Sequence, residues 1–172
     1  MAQGRGASRA VTPRLKYELK GARLDGVQLY SLIQYSDKRG WFSQQWTDTD
    51  LINMGFRAGF IQSNIAMSNQ FVLRGMHRQD QTKLVQVISG RIFDVVLNPE
   101  TGAWAGYKLV ENDVLLIPSH YAHGYMVLSD TAIVQYFVDK SYQKDAEETF
   151  KWDGFGIEWP LKINPVLSDK DS

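Results

Sequence analysis

The chain has 172 residues, no cysteine and equal numbers of basic and acidic side chains, so its formal net charge at pH 7 is zero. Neutrality argues against a bulk electrostatic role on nucleic acid or on an anionic membrane, and no apolar run is long enough to span a bilayer. The lack of cysteine excludes disulfides, thiolate metal sites and a cysteine nucleophile, and it suits a reducing cytoplasm. We therefore expect a cytoplasmic protein.

The N-terminal residues do not have the apolar run of a signal peptide, because glutamine, glycine, arginine and serine interrupt the first ten positions. We interpret residues 1–20 as a flexible tail. Residues 21–172 are then long enough to form a single domain with a sizeable core.

Short strands are predicted from the first residues of this domain. Residues 27–33 mix polar and apolar side chains with a period near two, and the aromatic segment 41–46 follows a turn signal at 37–40. Residues 47–50 then offer several N-cap candidates for one short helix over residues 51–54.

From residue 59 onward the sequence predicts only strands and turns, and Ser89-Gly90 is typical of a hairpin turn. The eight predicted strands are 60–67, 71–77, 83–88, 91–97, 107–110, 114–117, 124–128 and 132–138. So many short strands, with one or two short helices, indicate an all-β sandwich, jelly roll or closed barrel. We expect residues 150–172, which two prolines interrupt, to wrap this barrel as an irregular segment.

Three histidines occur, at His77, His120 and His123. The two nearby imidazoles at 120 and 123 raise the hypothesis of a metal site, as in many barrels of this shape. However, Arg78 next to His77 would repel a cation, and no further histidine or carboxylate follows at a ligand spacing. The sequence therefore favours a site without metal.

Lys83 and Tyr136 each lie in a largely apolar predicted strand. Their ordinary interpretations are a lysine that protects a strand edge and a tyrosine of the core. If they face a cleft, the ammonium could stabilise an anion and the phenol could act as a general acid. Hydride transfer on a dinucleotide fold and nucleotide hydrolysis are disfavoured, because neither glycine-rich phosphate-binding motif is present.

Nine segments, in order, resemble the dTDP-4-dehydrorhamnose 3,5-epimerase family. They are Asp37-Lys-Arg-Gly-Trp-Phe42, Phe60-Ile-Gln-Ser-Asn64, Leu73-Arg-Gly-Met-His77, Lys83-Leu-Val85, Gly90-Arg-Ile-Phe-Asp-Val95, Ile117-Pro118 with Ala122-His-Gly-Tyr125, Trp152-Asp153, Gly156-Ile-Glu-Trp-Pro160 and Leu167-Ser-Asp-Lys-Asp171. The resemblance implies a cupin-type jelly-roll barrel, a homodimer and no cofactor. It also implies epimerisation of a nucleotide-linked 4-keto-6-deoxy sugar, in polysaccharide or glycoside synthesis, by proton removal and return beside the ketone.

The resemblance also assigns roles to residues. His77 would be the base, with Asp171 as its carboxylate partner. Lys83 would face the enolate oxygen, and Tyr136 would return a proton from the opposite face of the sugar. The remaining residues would bind the nucleotide sugar, with Arg39 coming from the partner subunit: Arg39, Gln44, Gln62, Asn64, Arg74, His123, Tyr142, Glu147 and Lys170.

Several positions depart from the family's pattern. The loops 78–82 and 98–104 are shorter than usual, Gln44 stands for a common Glu, Phe137 for a Lys and His120 for a Gly. Because these positions border the expected cleft, a GDP- or CDP-linked ketosugar, epimerisation at a single carbon and ketoisomerisation are alternatives. A non-catalytic sugar-binding cupin and a metal-dependent cupin are the alternatives from other classes.

Overall fold

The computed structural model describes residues 20–21, 24–160 and 163–172. The strands are β1 (Lys20–Gly21), β2 (Gln28–Ser31), β3 (Tyr35–Asp37), β4 (Gly40–Phe42), β5 (Gln62–Asn69), β6 (Leu73–Arg78), β7 (Lys83–Ser89), β8 (Arg91–Leu97), β9 (Trp104–Val110), β10 (Asp113–Ile117), β11 (Ala122–Val127), β12 (Thr131–Val138) and β13 (Glu148–Thr149). The helix α1 spans Asp48–Asn53, and a single 3₁₀ turn spans Lys144–Ala146. The tail predicted for residues 1–20 lies outside the described residues, apart from Lys20 at the start of β1.

Two sheets of antiparallel strands form the body of the fold. The larger has the order β1-β9-β8-β11-β6-β13, the smaller has the order β2-β10-β7-β12-β5, and β3 and β4 make a separate hairpin. Most neighbours in the sheets are not consecutive in the chain, as in a jelly roll.

Four strands place an ionisable side chain in an otherwise largely apolar row between the sheets. Because side chains alternate along a strand, Lys83 shares a row with the buried Val85 and Val87, and Asp94 lies between Ile92 and Val96. In the same way, β11 presents His123 and β12 presents Tyr136. The strand pattern therefore brings four chemically active groups towards one interior.

The C-terminal segment covers the outer face of the larger sheet. Trp159 packs edge-on against Phe93 with ring centroids 5.9 Å apart, and its indole N–H donates to the carbonyl of Trp152 at 2.7 Å. Further along, the backbone of Val166 bonds to Phe71 and Leu73. This segment wraps the barrel as expected, and these contacts bring the end of the chain back towards the interior row.

The helix α1 covers the smaller sheet through its buried Leu51. It begins three residues before the predicted start, because Thr47 and Asp50 form a reciprocal capping box at its N-terminus. The predicted strand 41–46 is wrong in its last four residues, where the chain leaves the β3–β4 hairpin as a loop after Phe42. The short strands β1, β3 and β13 are additions to the predicted set.

Candidate active site

A cleft of about 330 Å³ lies between the two sheets. Nine of the residues predicted for the site line it: Arg74, His77, Lys83, His123, Tyr136, Tyr142, Glu147, Lys170 and Asp171. The structure thus collects residues from β6, β7, β11, β12 and the C-terminal segment into one place. Lys170 and Asp171 take part because the C-terminal segment returns to the barrel.

A local irregularity sets the wall formed by β6 and β11. His77 pairs with His123, but the register then shifts so that Arg74 pairs with Tyr125. At the shift Gly75 has a φ of +124°, and a Cβ built on it would lie 2.5 Å from the Cα of Gly124. Glycine is therefore required at this close approach, and the irregularity allows Arg74 and His77 both to line the cleft.

Two carboxylates and a hydroxyl surround the ring nitrogens of His77. Its Nε2 lies 2.7 Å from Oδ1 of Asp171, and because a carboxylate only accepts, Nε2 carries the hydrogen. The lone pair is then on Nδ1, which lies 3.3 Å from the hydroxyl of Thr149 and 3.5 Å from Oε1 of Glu147. Burial lowers the pKa of His77 against the opposing effect of Asp171, so the imidazole is neutral at pH 7, as a base must be.

Lys83 brings a positive charge into the interior. Its ammonium is 3.4 Å from the carbonyl oxygen of His77, and the residue is buried with 8% of its surface exposed. Burial lowers the pKa of Lys83 to about 8, although the carboxylates of Asp94 and Glu147 act in the opposite direction. The group is thus mostly charged at neutral pH and is suited to stabilising a developing anion.

Asp94 is a site residue that the sequence analysis did not assign. Its Oδ2 accepts a hydrogen bond from Nε2 of His123 at 2.8 Å, and its side chain is completely buried. Burial raises the pKa of Asp94, whereas His123 and Lys83 both lower it. The signal in the sequence was a lone acidic residue inside an apolar strand, where an unpaired carboxylate would be costly.

The rim of the cleft carries a second polar group around Glu147. Tyr142 donates its hydroxyl hydrogen to Oε2 of Glu147 at 3.0 Å, and Lys170 bonds to the same oxygen. Although burial acts in the opposite direction, these two hydrogen bonds hold the pKa of Glu147 below its ordinary value. Across the cleft, burial raises the pKa of Tyr136, so its phenol keeps its proton at neutral pH.

Four of the predicted binding residues do not line this cleft. Gln62 and Asn64 are hydrogen-bonded to each other at 2.8 Å, on the same face of β5 as Ala66, which does line it. Arg39 lies in the β3–β4 turn with 83% of its side chain exposed and pairs with Asp37. Gln44 is exposed in the loop that follows β4.

Two negative findings concern the described residues. In this part of the chain, no three histidine, cysteine, aspartate or glutamate side chains are grouped so as to hold a metal ion. Likewise, none of its helices has the length and apolar character needed to cross a membrane.

Comparison with known proteins decides the family. A sequence model described as dTDP-4-dehydrorhamnose 3,5-epimerase matches residues 21–172. The chain belongs to this family. The dTDP-4-dehydrorhamnose 3,5-epimerase of Methanothermobacter thermautotrophicus is 36% identical over 86% of this chain and 88% of its own length. That of Shigella flexneri is 38% identical over 84% of this chain and 87% of its own.

Solved structures give the same result for the fold. The RmlC epimerase of Legionella pneumophila, in complex with dTDP-4-keto-L-rhamnose, superposes with a TM-score of 0.83 at 30% identity, over 90% of this chain and 89% of that one. The Bacillus anthracis epimerase, with TDP and pyrophosphate bound, gives 0.79 at 32% identity, over 90% and 97%. The predicted family, jelly-roll fold and enzyme class, an isomerase, are confirmed.

Proposed function

We propose that this epimerase inverts carbons beside the ketone of a dTDP-linked 4-keto-6-deoxy sugar, acting at both C3 and C5. The observation that carries the proposal is the joint presence of a neutral imidazole, a buried ammonium and a protonated phenol in one cleft. The relatives' names and the dTDP-sugar bound by the Legionella enzyme support this substrate class.

The chemistry needs one base, one acid and a group that holds negative charge. A ketone acidifies the C–H bonds of its ring neighbours, because deprotonation gives an enolate. His77 takes this proton through Nδ1, while Asp171 fixes the tautomer and stabilises the imidazolium. Lys83 stabilises the enolate oxygen, and Tyr136 delivers its proton to the other face of the carbon.

Binding of the nucleotide sugar involves the remaining lining residues. Arg74 lies beside the reacting groups, where a guanidinium suits the diphosphate, and His123 holds the sugar. Tyr142 and Lys170 at the rim, with Gln62 and Asn64 on β5, contact the nucleotide. We assign the reaction to polysaccharide or glycoside synthesis in the cytoplasm, and the absence of cysteine suits that reducing compartment.

We further propose that the enzyme is a homodimer in which Arg39 and Gln44 complete the site of the other subunit. Neither residue lines the cleft of its own chain. On the edge strand β5 and just before it, Ile61, Ile65 and Met67 are each more than half exposed, and the β3–β4 hairpin exposes three aromatic rings. An exposed apolar edge of this kind is typical of a protein interface.

The test is incubation with dTDP-4-keto-6-deoxy-D-glucose in heavy water, read by mass spectrometry and NMR. The wild type should place deuterium at C3 and C5 and invert both centres, whereas His77→Ala should do neither while keeping its fold by circular dichroism. Parallel GDP- and CDP-linked substrates test the nucleotide, and label at a single carbon would indicate a mono-epimerase. Binding without any exchange by the wild type would mean a sugar-binding protein and would refute the proposal.

A further inference from the structure

Proton balance imposes a further requirement on the proposed reaction. The present inference rests on that proposed function. Each inversion moves one proton from carbon to His77 and one from Tyr136 to carbon. The substrate's atoms are unchanged in number, but the enzyme is left with an imidazolium and a phenolate. Before the next carbon can be inverted, the imidazolium must lose a proton and the phenolate must regain one.

Asp171 is poorly placed to accept the proton from His77. It already accepts the hydrogen of Nε2, which lies on the opposite side of the ring from the basic nitrogen. Only 6% of its side chain is exposed, so it has little contact with water. Thr149 does reach Nδ1, but its hydroxyl does not ionise near neutral pH and can only bridge.

Glu147 reaches both the basic nitrogen and the mouth of the cleft. Its Oε1 lies 3.5 Å from Nδ1 of His77, and its Oε2 bonds to Tyr142 and Lys170. Those two partners are 52% and 48% exposed, respectively, and the side chain of Glu147 itself is 13% exposed, about twice the 6% of Asp171, so its far side is the closer of the two to solvent. Its charge also raises the pKa of Tyr136, less strongly than burial does, which puts Glu147 within electrostatic reach of the acid as well.

We propose that Glu147 is the proton carrier that returns His77 to its basic form during turnover. The imidazolium N–H bond at Nδ1 breaks as an O–H bond forms on Oε1, giving neutral histidine and neutral glutamic acid. The glutamic acid then releases the proton to water at the rim. Because water at the same rim can reprotonate Tyr136, the two resets together leave the proton count unchanged.

Glu147→Gln is the direct test, because the amide keeps the size of the side chain but cannot carry a proton. A rapid-quench experiment should show a burst of one inverted centre per site, because the first inversion starts from the basic form of His77 and needs no carrier. Loss of the Glu147 charge also acts on His77 and Tyr136, so the burst rate should change, but by less than the rate of later turnovers. Later turnovers should slow by about tenfold or more, within the range of a lost proton-transfer group. Imidazole added at constant pH and ionic strength should restore the steady rate, because a small buffer can replace the carrier.

Matched variants separate proton transfer from simple positioning. Lys170→Met keeps the carboxylate and should raise KM for the nucleotide sugar with no response to imidazole. Glu147→Asp keeps a carboxylate, so it should retain more steady turnover than Glu147→Gln and provides a second reading if the amide variant folds poorly. Rescue of Lys170→Met by imidazole would make the ammonium the carrier and overturn the assignment.

Two other results decide the matter. If Glu147→Gln slows the burst and the steady rate equally and ignores imidazole, or if it turns over like the wild type, Glu147 is not the carrier. If the wild type itself exchanges no hydrogen at C3 or C5, the proposed epimerase function fails instead, and the two failures are distinguishable.

Discussion

Replacing Lys83 by methionine should stabilise the fold while removing activity. The pKa of Lys83 is lowered from 10.5 to about 8 by burial. Since one pKa unit corresponds to about 1.4 kcal/mol, a charged Lys83 destabilises the folded state by about 3 kcal/mol at neutral pH. Methionine has a similar length and no charge, so Lys83→Met should raise the free energy of unfolding by roughly this amount.

The sign of the pH dependence follows from the direction of this pKa change. Between pH 8 and pH 10.5 the unfolded chain holds the lysine proton and the folded chain does not, so the wild type gains stability as the pH rises. Above the unfolded pKa, Lys83 is neutral in both states and the advantage of methionine disappears. Urea unfolding of both proteins at pH 7 and at about pH 11 measures this difference. The contributions of groups that titrate in both proteins cancel when the two free energies of unfolding are subtracted.

Turnover should fall in parallel by about a hundredfold or more, as when a fixed stabiliser of an oxyanion is removed. Lys151→Met, at an exposed position just after β13, is the matched control and should change the free energy of unfolding by less than about 0.5 kcal/mol. The reasoning is refuted if Lys83→Met is no more stable than the wild type at pH 7, or if its advantage persists at pH 11.

The remaining predictions also concern the charges of the cleft. The plot of kcat/KM against pH should be bell-shaped. The value should fall on the acid side, below pH 6.5, as His77 gains a proton, and on the alkaline side, above about pH 8, as Lys83 loses one. Steady-state rates from pH 5 to 10 check this, and an alkaline limb near 10 would contradict the assignment of Lys83. Asp94→Asn keeps an acceptor for His123 but removes a charge that raises the pKa of Lys83, so the alkaline limb should move to lower pH. If the alkaline limb did not move, the charge of Asp94 would not be influencing the pKa of Lys83.

The sequence was sufficient for the fold wherever local patterns decide the structure. The eight strands from residue 60 onward are readable because apolar and β-branched residues alternate with turn signals. The two-residue strands β1 and β13 are not, since each exists only because a neighbouring strand offers partners. The earlier start of α1 was not predictable either, because a cap depends on side-chain geometry that spacing alone does not fix.

The site was readable only in part. His77, Lys83 and Tyr136 were assigned through resemblance, and the fold brings them together with Asp171 from the far end of the chain. Asp94 was missed because an acidic residue in a strand has no partner until β8 and β11 are paired, which no local pattern reveals. The hydroxyl of Thr149 on His77 was hidden in the same way, since it depends on β13 joining β6.

The charges of the cleft lead to a last prediction, about the proposed second subunit. Arg74, Lys83 and Lys170 are offset by three carboxylates in or directly beneath the cleft, those of Asp94, Glu147 and Asp171. A diphosphate adds about two negative charges, so its binding would gain from a further cation. Arg39 is a cation with 83% of its side chain exposed, away from its own cleft.

Subunit complementation tests whether Arg39 acts across an interface. Arg39→Ala should raise KM strongly, and His77→Ala should be inactive. When the two variants are unfolded together and refolded, half of the dimers are mixed, and each has one site with His77 from one chain and Arg39 from the other. Activity at low substrate concentration should then recover to about a quarter of the wild-type value. If Arg39 served its own cleft, each mixed dimer would hold one Arg39→Ala site and one His77→Ala site, so mixing would restore nothing, and the same would hold for a monomer.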